Sequence, residues 1–187
     1  MIEEKRKSYK DFDLAFVDTE TTGVALDHEL LEIGVVRVNP FNFSVIEEWE
    51  AKIKPFNLEN ADPEAFKVNG YNEEDWKGAI SEEEAMKKFL EKTEGTMLCG
   101  HNIVFDWYYI HKALLRYKLS PTFFYKSLDT FAMAWSKLRN ETSLKAFSLR
   151  ELSMYYGIKP EKPHTALDDA KTTYKVFLKL IGAENAK

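Results

Sequence analysis

The segment "VDTETTG", residues 17 to 23, places two carboxylates, Asp18 and Glu20, one residue apart at the end of an apolar run. If that run is a β-strand, residues i and i+2 point to the same face, so the two side chains lie next to each other. Like charges at such a distance repel and raise each other's pKa, which lowers stability. A solvated turn-capping role also explains so short a pattern, and further acidic sites are needed to decide.

Two later segments supply such sites. In "HNIVFD", residues 101 to 106, Asp106 lies one turn into a predicted helix and has apolar neighbours. It either interacts favourably with the dipole of that helix or belongs to a functional site together with other carboxylates. In "HTALDDA", residues 164 to 170, His164 stands in a predicted loop and Asp169 follows five residues later on a predicted helix. This spacing differs from the i, i+4 pair of a zinc helix, and a surface or capping role is the alternative for the histidine.

The whole set consists of four carboxylates and one histidine, with no cysteine cluster. Hard oxygen ligands suit Mg²⁺ or Mn²⁺ better than Zn²⁺. Two such ions about 3.5–4 Å apart form a clamp for in-line attack at phosphorus. A neutral histidine beside the attacking water is a suitable general base near neutral pH. The pattern therefore predicts two divalent cations and hydrolysis of a phosphate ester.

Composition narrows the class of protein. The chain has 187 residues and 44% hydrophobic residues, which suits one globular domain over residues 1–187 with a core of about 13–182. The sequence has no apolar run of the ~20 residues that a membrane helix needs, so we expect no membrane association. A charged first segment and a lone Cys99 predict a cytoplasmic protein. The net charge of −5 argues against coating nucleic acid through bulk charge but permits a local phosphate site.

Periodicity and capping residues predict the elements that position these groups. Strands are expected at 13–20, 30–38, 44–55 and 96–100, with a further short strand before residue 128. Helices are expected at 62–71, 81–93, 102–119, 128–138, 148–157 and 165–182. The second and third strands read as a hairpin, so the sheet begins antiparallel, and the later alternation of strands and helices indicates an α/β fold.

The segments "FVDTETTG", "HNIVFD" and "HTALDDA" resemble, in order and spacing, the three motifs of the DEDDh exonucleases, which include the proofreading epsilon subunit of bacterial DNA polymerase III. The resemblance covers residues 13 to about 180. It implies an RNase H-like fold with a mixed five-stranded sheet, antiparallel in its first three strands and then parallel, flanked by helices. It also implies 3′→5′ exonuclease chemistry that releases nucleoside 5′-monophosphates. His164 would be the general base, and the metal ligands would be Asp18, Glu20, Asp106 and Asp169.

The resemblance also suggests contacts with the 3′ end of a nucleic acid. His101 and Asn102 are expected to orient the helix start. The apolar side chains of Val68 and Phe105 would pack on the terminal bases. Ordinary packing in the protein core is an equal alternative for both. The expected substrate-binding residues are Thr21, Thr22, Gly23, Val24, Glu64, Val68 and Phe105.

Three functional hypotheses follow. The first is a 3′→5′ exonuclease on single-stranded DNA, stand-alone or as a polymerase proofreading subunit, with a polymerase as candidate partner. The second is the same two-metal chemistry on RNA or short oligoribonucleotides. The third is a nucleic-acid-binding module with an inactive site, which the intact set of five groups disfavours. Asn69 stands where the family often has histidine, and the chain ends near its last helix without the epsilon subunit's docking tail.

Overall fold

The structure, a computed structural model, describes residues 8–162 and 164–183. The strands within these residues are β1 (Asp13–Thr21), β2 (Leu30–Val38), β3 (Val45–Lys52), β4 (Thr96–Gly100) and β5 (Phe124–Asp129). The α-helices are α1 (Pro63–Asn69), α2 (Glu82–Lys92), α3 (Val104–Arg116), α4 (Thr130–Leu138), α5 (Leu149–Tyr155) and α6 (Ala166–Ile181). Among the described helices, none combines the length and the apolarity that a bilayer span requires.

The five strands form one sheet in the order β3-β2-β1-β4-β5. Strand β2 pairs antiparallel with β1 and β3, whereas β4 pairs parallel with β1 and β5. The predicted mixed sheet is therefore confirmed. Strand β1 is paired with β4 over Asp13–Phe16 and with β2 along nearly its whole length, so its last residues are held by β2 and extend past the end of β4.

Several element boundaries differ from the sequence prediction, for different local reasons. The helix predicted over 102–119 is shorter, because Asn102 and Lys118 have φ angles of 60° and 54° and cannot continue a right-handed helix. The helix predicted over 128–138 begins at Thr130, since Asp129 ends β5 and its carboxylate accepts hydrogen bonds from the first turn of α4. The third strand ends at Lys52 rather than at residue 55.

Alternation along β1 divides the core between the two faces of the sheet. Ala15 and Val17 belong to a buried cluster that includes residues of α2 and α3. Leu14 and Phe16 belong to a second buried cluster, which includes residues of α6. Asp18 and Glu20 continue the line of Leu14 and Phe16, so they face the side of the sheet that α6 covers.

Helix α6 approaches the sheet closely at Gly34 of β2, the residue that pairs with Asp18. A Cβ atom placed on Gly34 would lie 2.4 Å from the backbone of both Ala166 and Leu167. Only glycine therefore lets the first turn of α6 reach β2. This contact sets how near the side chains of α6 come to the last residues of β1.

We expect Gly34→Ala to destabilise the protein by about 1–3 kcal/mol, because overpacking a tight contact forces the backbone apart. Urea unfolding of the two proteins measures the difference. Gly78→Ala is the matched control, since no atom lies within 4 Å of a Cβ built at Gly78, and it should change the free energy of unfolding by ~0.5 kcal/mol at most. Equal stabilities for the two variants would contradict the tight contact.

Candidate active site

The end of β1 presents Asp18 and Glu20 to the N-terminal turn of α6. Both side chains are half-buried. The pairing register with β2 shifts between Glu20 and Thr21, so the strand becomes irregular directly after the second carboxylate. The two carboxylates therefore stand at the point where the buried strand emerges from the core.

Asp169 joins this pair from the first turn of α6. Its backbone N–H donates to the carbonyl of Thr165 at 3.0 Å, which fixes the residue in the helix. One carboxylate oxygen each from Asp18, Glu20 and Asp169 lie within 4.8 Å of one another. The neighbouring Asp168 points elsewhere, and its Oδ1 accepts a hydrogen bond from the backbone of Glu161 at 3.3 Å. Asp169, and not Asp168, thus faces the β1 carboxylates.

Asp106 approaches the same end of β1 from the opposite side of the sheet. It lies in the first turn of α3 and is 3% exposed. The hydroxyl of Thr19, between the two β1 carboxylates, donates to its Oδ1 at 2.7 Å. Asp106 is close enough for its charge to raise the pKa of both Asp18 and Glu20. The fourth carboxylate therefore lies beside the cluster of three.

The four carboxylates share an environment that disfavours ionisation. Burial raises the pKa of Asp18 well above its ordinary value, and the charges of Asp106 and Asp169 raise it further. Burial, followed by the charge of Asp169, raises the pKa of Glu20 to about 8. Burial, with a smaller effect of the Asp129 charge, raises the pKa of Asp106 to about 7 against the hydrogen bonds that lower it. Burial also raises the pKa of Asp169, where His164 acts in the opposite direction. The protein itself supplies little positive charge to this cluster.

The residues present fit hard divalent cations. Their donors are carboxylate oxygens, which Mg²⁺ and Mn²⁺ prefer, and neither cysteine nor histidine belongs to the group of three. Buried like charges without a cationic partner are costly, and a bound cation removes that cost. The donor chemistry and the raised pKa values therefore both point to cation binding.

Glu32 is a fifth acidic residue at this site that the sequence analysis missed. It lies opposite Glu20 on β2, is 2% exposed, and accepts a hydrogen bond from the backbone N–H of Ala166 at the start of α6. Burial, followed by the charge of Glu50, raises its pKa to about 7. The signal was available, because a glutamate inside the apolar strand "LLEIGVV" is costly unless it has a partner.

Hydrogen bonds from β5 and α4 hold the segment that leads into α3. Asn102 has a φ of 60°, and its backbone N–H donates to Oδ1 of Asp129 at 3.1 Å. The Nδ1 atom of His101 lies 3.0 Å from the hydroxyl of Thr130. Both residues support the start of α3, as the sequence predicts, and through it the position of Asp106.

A family model for exonucleases, named RNase T, matches residues 15–177, which is most of the chain. The chain belongs to this exonuclease family. The DEDDh resemblance that the three sequence motifs suggested is confirmed.

Two curated relatives illustrate the range of this exonuclease family. The chain is 27% identical over 175 residues to the PolC-type DNA polymerase III of Thermotoga maritima, covering 93% of this chain and 12% of that protein. It is 26% identical over 181 residues to ribonuclease T of Shewanella denitrificans, covering 88% of this chain and 78% of that protein. The chain thus spans only about an eighth of the length of its polymerase relative.

A solved structure of Escherichia coli exonuclease I, in a zinc-bound complex with single-stranded DNA, has the same fold. It aligns with a TM-score of 0.79 at 21% identity, covering 93% of this chain and 41% of the other. At this identity the likeness shows the fold alone, and it confirms the predicted RNase H-like arrangement.

The predicted general base, His164, stands in an exposed loop before α6. Its backbone is left-handed, with a φ of 66°, so the loop turns sharply just ahead of the helix. His164 and Asp169 line one common cavity, and the histidine is near enough to lower the pKa of Asp169. The loop histidine and the helix carboxylate therefore reach the same space, as the spacing of the motif suggests.

The predicted substrate-binding turn is fixed by hydrogen bonds within the protein. Thr21, Thr22 and Gly23 are buried, whereas Val24 is 79% exposed. The Gly23 carbonyl accepts hydrogen bonds from the hydroxyls of Thr21 and Tyr109, at 2.7 and 2.9 Å. The carbonyls of this turn are therefore already used within the protein, and its substrate contacts stay predictions.

Asn69, the departure from the family pattern, supports the same turn. Its amide nitrogen donates to the carbonyl of Thr21 at 3.0 Å, and its amide oxygen accepts from the backbone of Tyr71 at 3.1 Å. The side chain is buried, with 8% exposure. Asn69 therefore has a structural use in this protein.

The other predicted contact residues lie on α1 and α3. Glu64 is exposed and forms an ion pair with Lys67. Val68 is 54% exposed, so core packing does not explain it. Phe105 is partly buried against the core, with its ring centroid 5.0 Å from that of Tyr109. Their roles toward a nucleic acid stay predictions.

We expect Mg²⁺ or Mn²⁺ to raise the melting temperature of the protein, and to raise it more at pH 8 than at pH 5. A carboxyl whose pKa is raised by folding binds its proton more tightly in the folded protein than in the unfolded chain. The pKa of Glu20 rises from 4.5 to about 8, so its contribution to stability falls as the pH rises between these two values. Cations compete with protons for these oxygens, and they bind best when the protons have left. Thermal unfolding in EDTA and in each cation, at both pH values, measures the effect.

Asp18→Asn should lose most of this cation response and should raise the melting temperature of the metal-free protein at pH 8, since one repelling charge is gone. Glu94→Gln is the control, because Glu94 is an exposed carboxylate before β4, at the other end of the sheet. A melting temperature at pH 8 that millimolar cation leaves unchanged would argue against the metal site.

Proposed function

We propose that this protein is a metal-dependent 3′→5′ exonuclease that hydrolyses single-stranded DNA from its 3′ end and releases nucleoside 5′-monophosphates. The observation that carries the proposal is the meeting of Asp18, Glu20 and Asp169 within 4.8 Å at the end of β1, with buried Asp106 beside them. Membership of the exonuclease family says which reaction such a cluster serves.

Asp18, Glu20, Asp106 and Asp169 would hold two divalent cations, Mg²⁺ or Mn²⁺. When bound, the cations supply Lewis-acid stabilisation of the phosphoryl oxygens and lower the pKa of water. The protein's own part is to keep the four carboxylates fixed before the substrate arrives. Three elements do this: β1 carries Asp18 and Glu20, α6 carries Asp169, and α3 carries Asp106, to which the Thr19 hydroxyl donates a hydrogen bond.

His164 would accept the proton from the attacking water. A general base has to reach water beside the scissile phosphate, and a loop side chain that shares a cavity with Asp169 is suitably placed. The imidazole is also close enough to Asp169 for the two side chains to interact electrostatically. The carboxylates stay in place while the histidine moves the proton.

The choice of DNA is supported by a DNA polymerase among the relatives and by a fold neighbour bound to single-stranded DNA. RNA is the second candidate, because a ribonuclease T is also a relative and covers most of the chain. The polymerase relative makes a polymerase a candidate partner, and a stand-alone enzyme is the other arrangement. A buried Cys99 thiol agrees with the reducing cytoplasm as the proposed compartment.

The substrate is tested with labelled single-stranded DNA, duplex DNA and RNA of one sequence, each with Mg²⁺ and with Mn²⁺. We expect single-stranded DNA to be degraded fastest, from the 3′ end, to 5′-mononucleotides. EDTA should abolish the reaction, and a 3′-phosphate should block it. Asp18→Asn and Asp169→Asn should each lower the rate ~100-fold or more in a folded protein.

Each contrary result has a definite meaning. Faster degradation of RNA than of single-stranded DNA would make RNA, the second candidate, the preferred substrate. Cleavage of a circular strand as fast as a linear one would make the protein an endonuclease. Tight binding without turnover would favour the binding-module hypothesis. Near-normal turnover by folded Asp18→Asn would refute the assignment of the carboxylates.

His164→Ala should lower the turnover rate by about 10²–10⁴-fold, because a general base contributes that much. The Mg²⁺ concentration that gives half of the maximal rate should stay the same, since the histidine is not expected to bind metal. A Mg²⁺ titration of wild type and variant at one pH measures both quantities. Restoration of wild-type turnover by excess Mg²⁺ would instead make His164 part of the metal site.

A further inference from the structure

A cavity opens between α5 and the start of α6, directly beside the carboxylate cluster. Its volume is about 680 Å³, within the range of ~300–1,000 Å³ that is usual for ligand pockets. Asp169 and His164 form one end of its lining, and residues 149–160 contribute most of the rest. The cavity is therefore continuous with the proposed site of hydrolysis, although none of the roles assigned above uses residues 149–160.

Two cationic side chains, Arg150 and Lys159, line this cavity. Both are exposed, and within residues 8–162 and 164–183 neither has a carboxylate partner within 4.0 Å. Elsewhere the lysines of α2 are in ion pairs, as Lys87 with Glu83 and Lys88 with Glu84 show. Other exposed lysines among the described residues, such as Lys10 and Lys118, also lack an ion pair, so the feature that calls for a reason is the position of Arg150 and Lys159 in the cavity that Asp169 lines.

The remaining lining suits a flat apolar group without selecting its sequence. Leu149, Met154 and Ile158 contribute apolar surface, and Met154 is 72% exposed. A methionine side chain is flexible and polarizable, so it adapts to aromatic partners of different shape. Cations for phosphates together with adaptable apolar surface for bases are the two components of a sequence-tolerant single-strand site.

We propose that the cavity formed by Arg150, Met154 and Lys159 binds the part of a single strand that precedes its 3′-terminal nucleotides. This inference rests on the proposed function, since that function brings a 3′ end to Asp169 and His164. The strand leaves the site through the opening that these two residues share with the cavity. Arg150 and Lys159 hold backbone phosphates, and Met154 packs against a base. An acidic protein segment could bind the same two cations, but its binding would not explain why the cavity is continuous with the proposed site of hydrolysis.

Binding is measured by fluorescence anisotropy with a 5′-labelled strand of 12 deoxythymidines, in Mg²⁺ and in the Asp18→Asn background. We expect Arg150→Gln/Lys159→Gln to weaken binding about tenfold. Each lost phosphate contact should also reduce the slope of log affinity against log salt by roughly 0.7, so the double variant should lose about 1.4. The matched control is Lys10→Gln/Lys118→Gln, which removes two exposed cations before β1 and after α3, away from the site, and should change neither quantity.

Substrate length gives a second readout in the protein with Asp18 intact. KM for the 12-nucleotide strand should rise about tenfold in the Gln double variant, and KM for a dinucleotide should change much less. An unchanged slope and an unchanged ratio of the two KM values would overturn the inference even if the protein degrades DNA. If the double variant reduces the salt slope but the protein with Asp18 intact degrades no nucleic acid, the inferred strand-binding site stands and the proposed function is refuted. Equal binding of a 12-residue polyglutamate, with the same loss of slope, would assign the surface to a protein partner instead.

Discussion

Repulsion among buried carboxylates is the constraint on which this structure depends. Asp18, Glu20 and Asp169 converge where solvent is partly excluded, and each of them would ionise more easily elsewhere. The fold resists this repulsion by placing the carboxylates on rigid elements. The part of β1 that carries Asp18 and Glu20 is paired with β2, and the first turn of α6 packs directly on β2 at Gly34. A looser scaffold would relax by moving the charges apart.

The same constraint explains why Glu32 and Thr19 are polar although both are buried. The Glu32 carboxylate binds the first N–H of α6, and the Thr19 hydroxyl binds Asp106 on α3. Each joins β1 or its neighbour β2 to a helix that carries a site residue. Apolar side chains would cost less free energy to bury at these positions, but they would leave the first N–H of α6 and the Asp106 carboxylate without these hydrogen bonds. Stability is given up here for a fixed arrangement of charge, as is common at functional sites.

The sequence predicted the parts of the site that depend on local periodicity. Alternation along β1 places Asp18 beside Glu20, whereas the choice of Asp169 over Asp168 came from the resemblance to the DEDDh motif, in which the aspartate follows the histidine by five residues. The same reasoning gave the order of strands and helices. It could not find Gly34 or the cavity between α5 and α6, because these arise where segments distant in sequence pack together. It also lengthened α3, since nothing in local propensity required Asn102 and Lys118 to be left-handed.

Net charge alone is a poor guide to the partners of this protein, because its charges are separated in space. The carboxylate cluster would repel a nucleic acid strand, and bound cations would cancel that repulsion only locally. Between residues 137 and 150, four basic side chains (Lys137, Arg139, Lys145 and Arg150) stand against one acidic side chain, Glu141. Of these four, only Arg150 lines the cavity that contains Asp169, where Lys159 joins it, whereas Lys137 binds the Leu180 carbonyl in the last turn of α6. A polyanion that enters this cavity therefore meets two cations beside the acidic cluster. An acidic protein can in this way direct a strand towards a negatively charged centre, with its favourable charge concentrated along the approach rather than at the reacting phosphate.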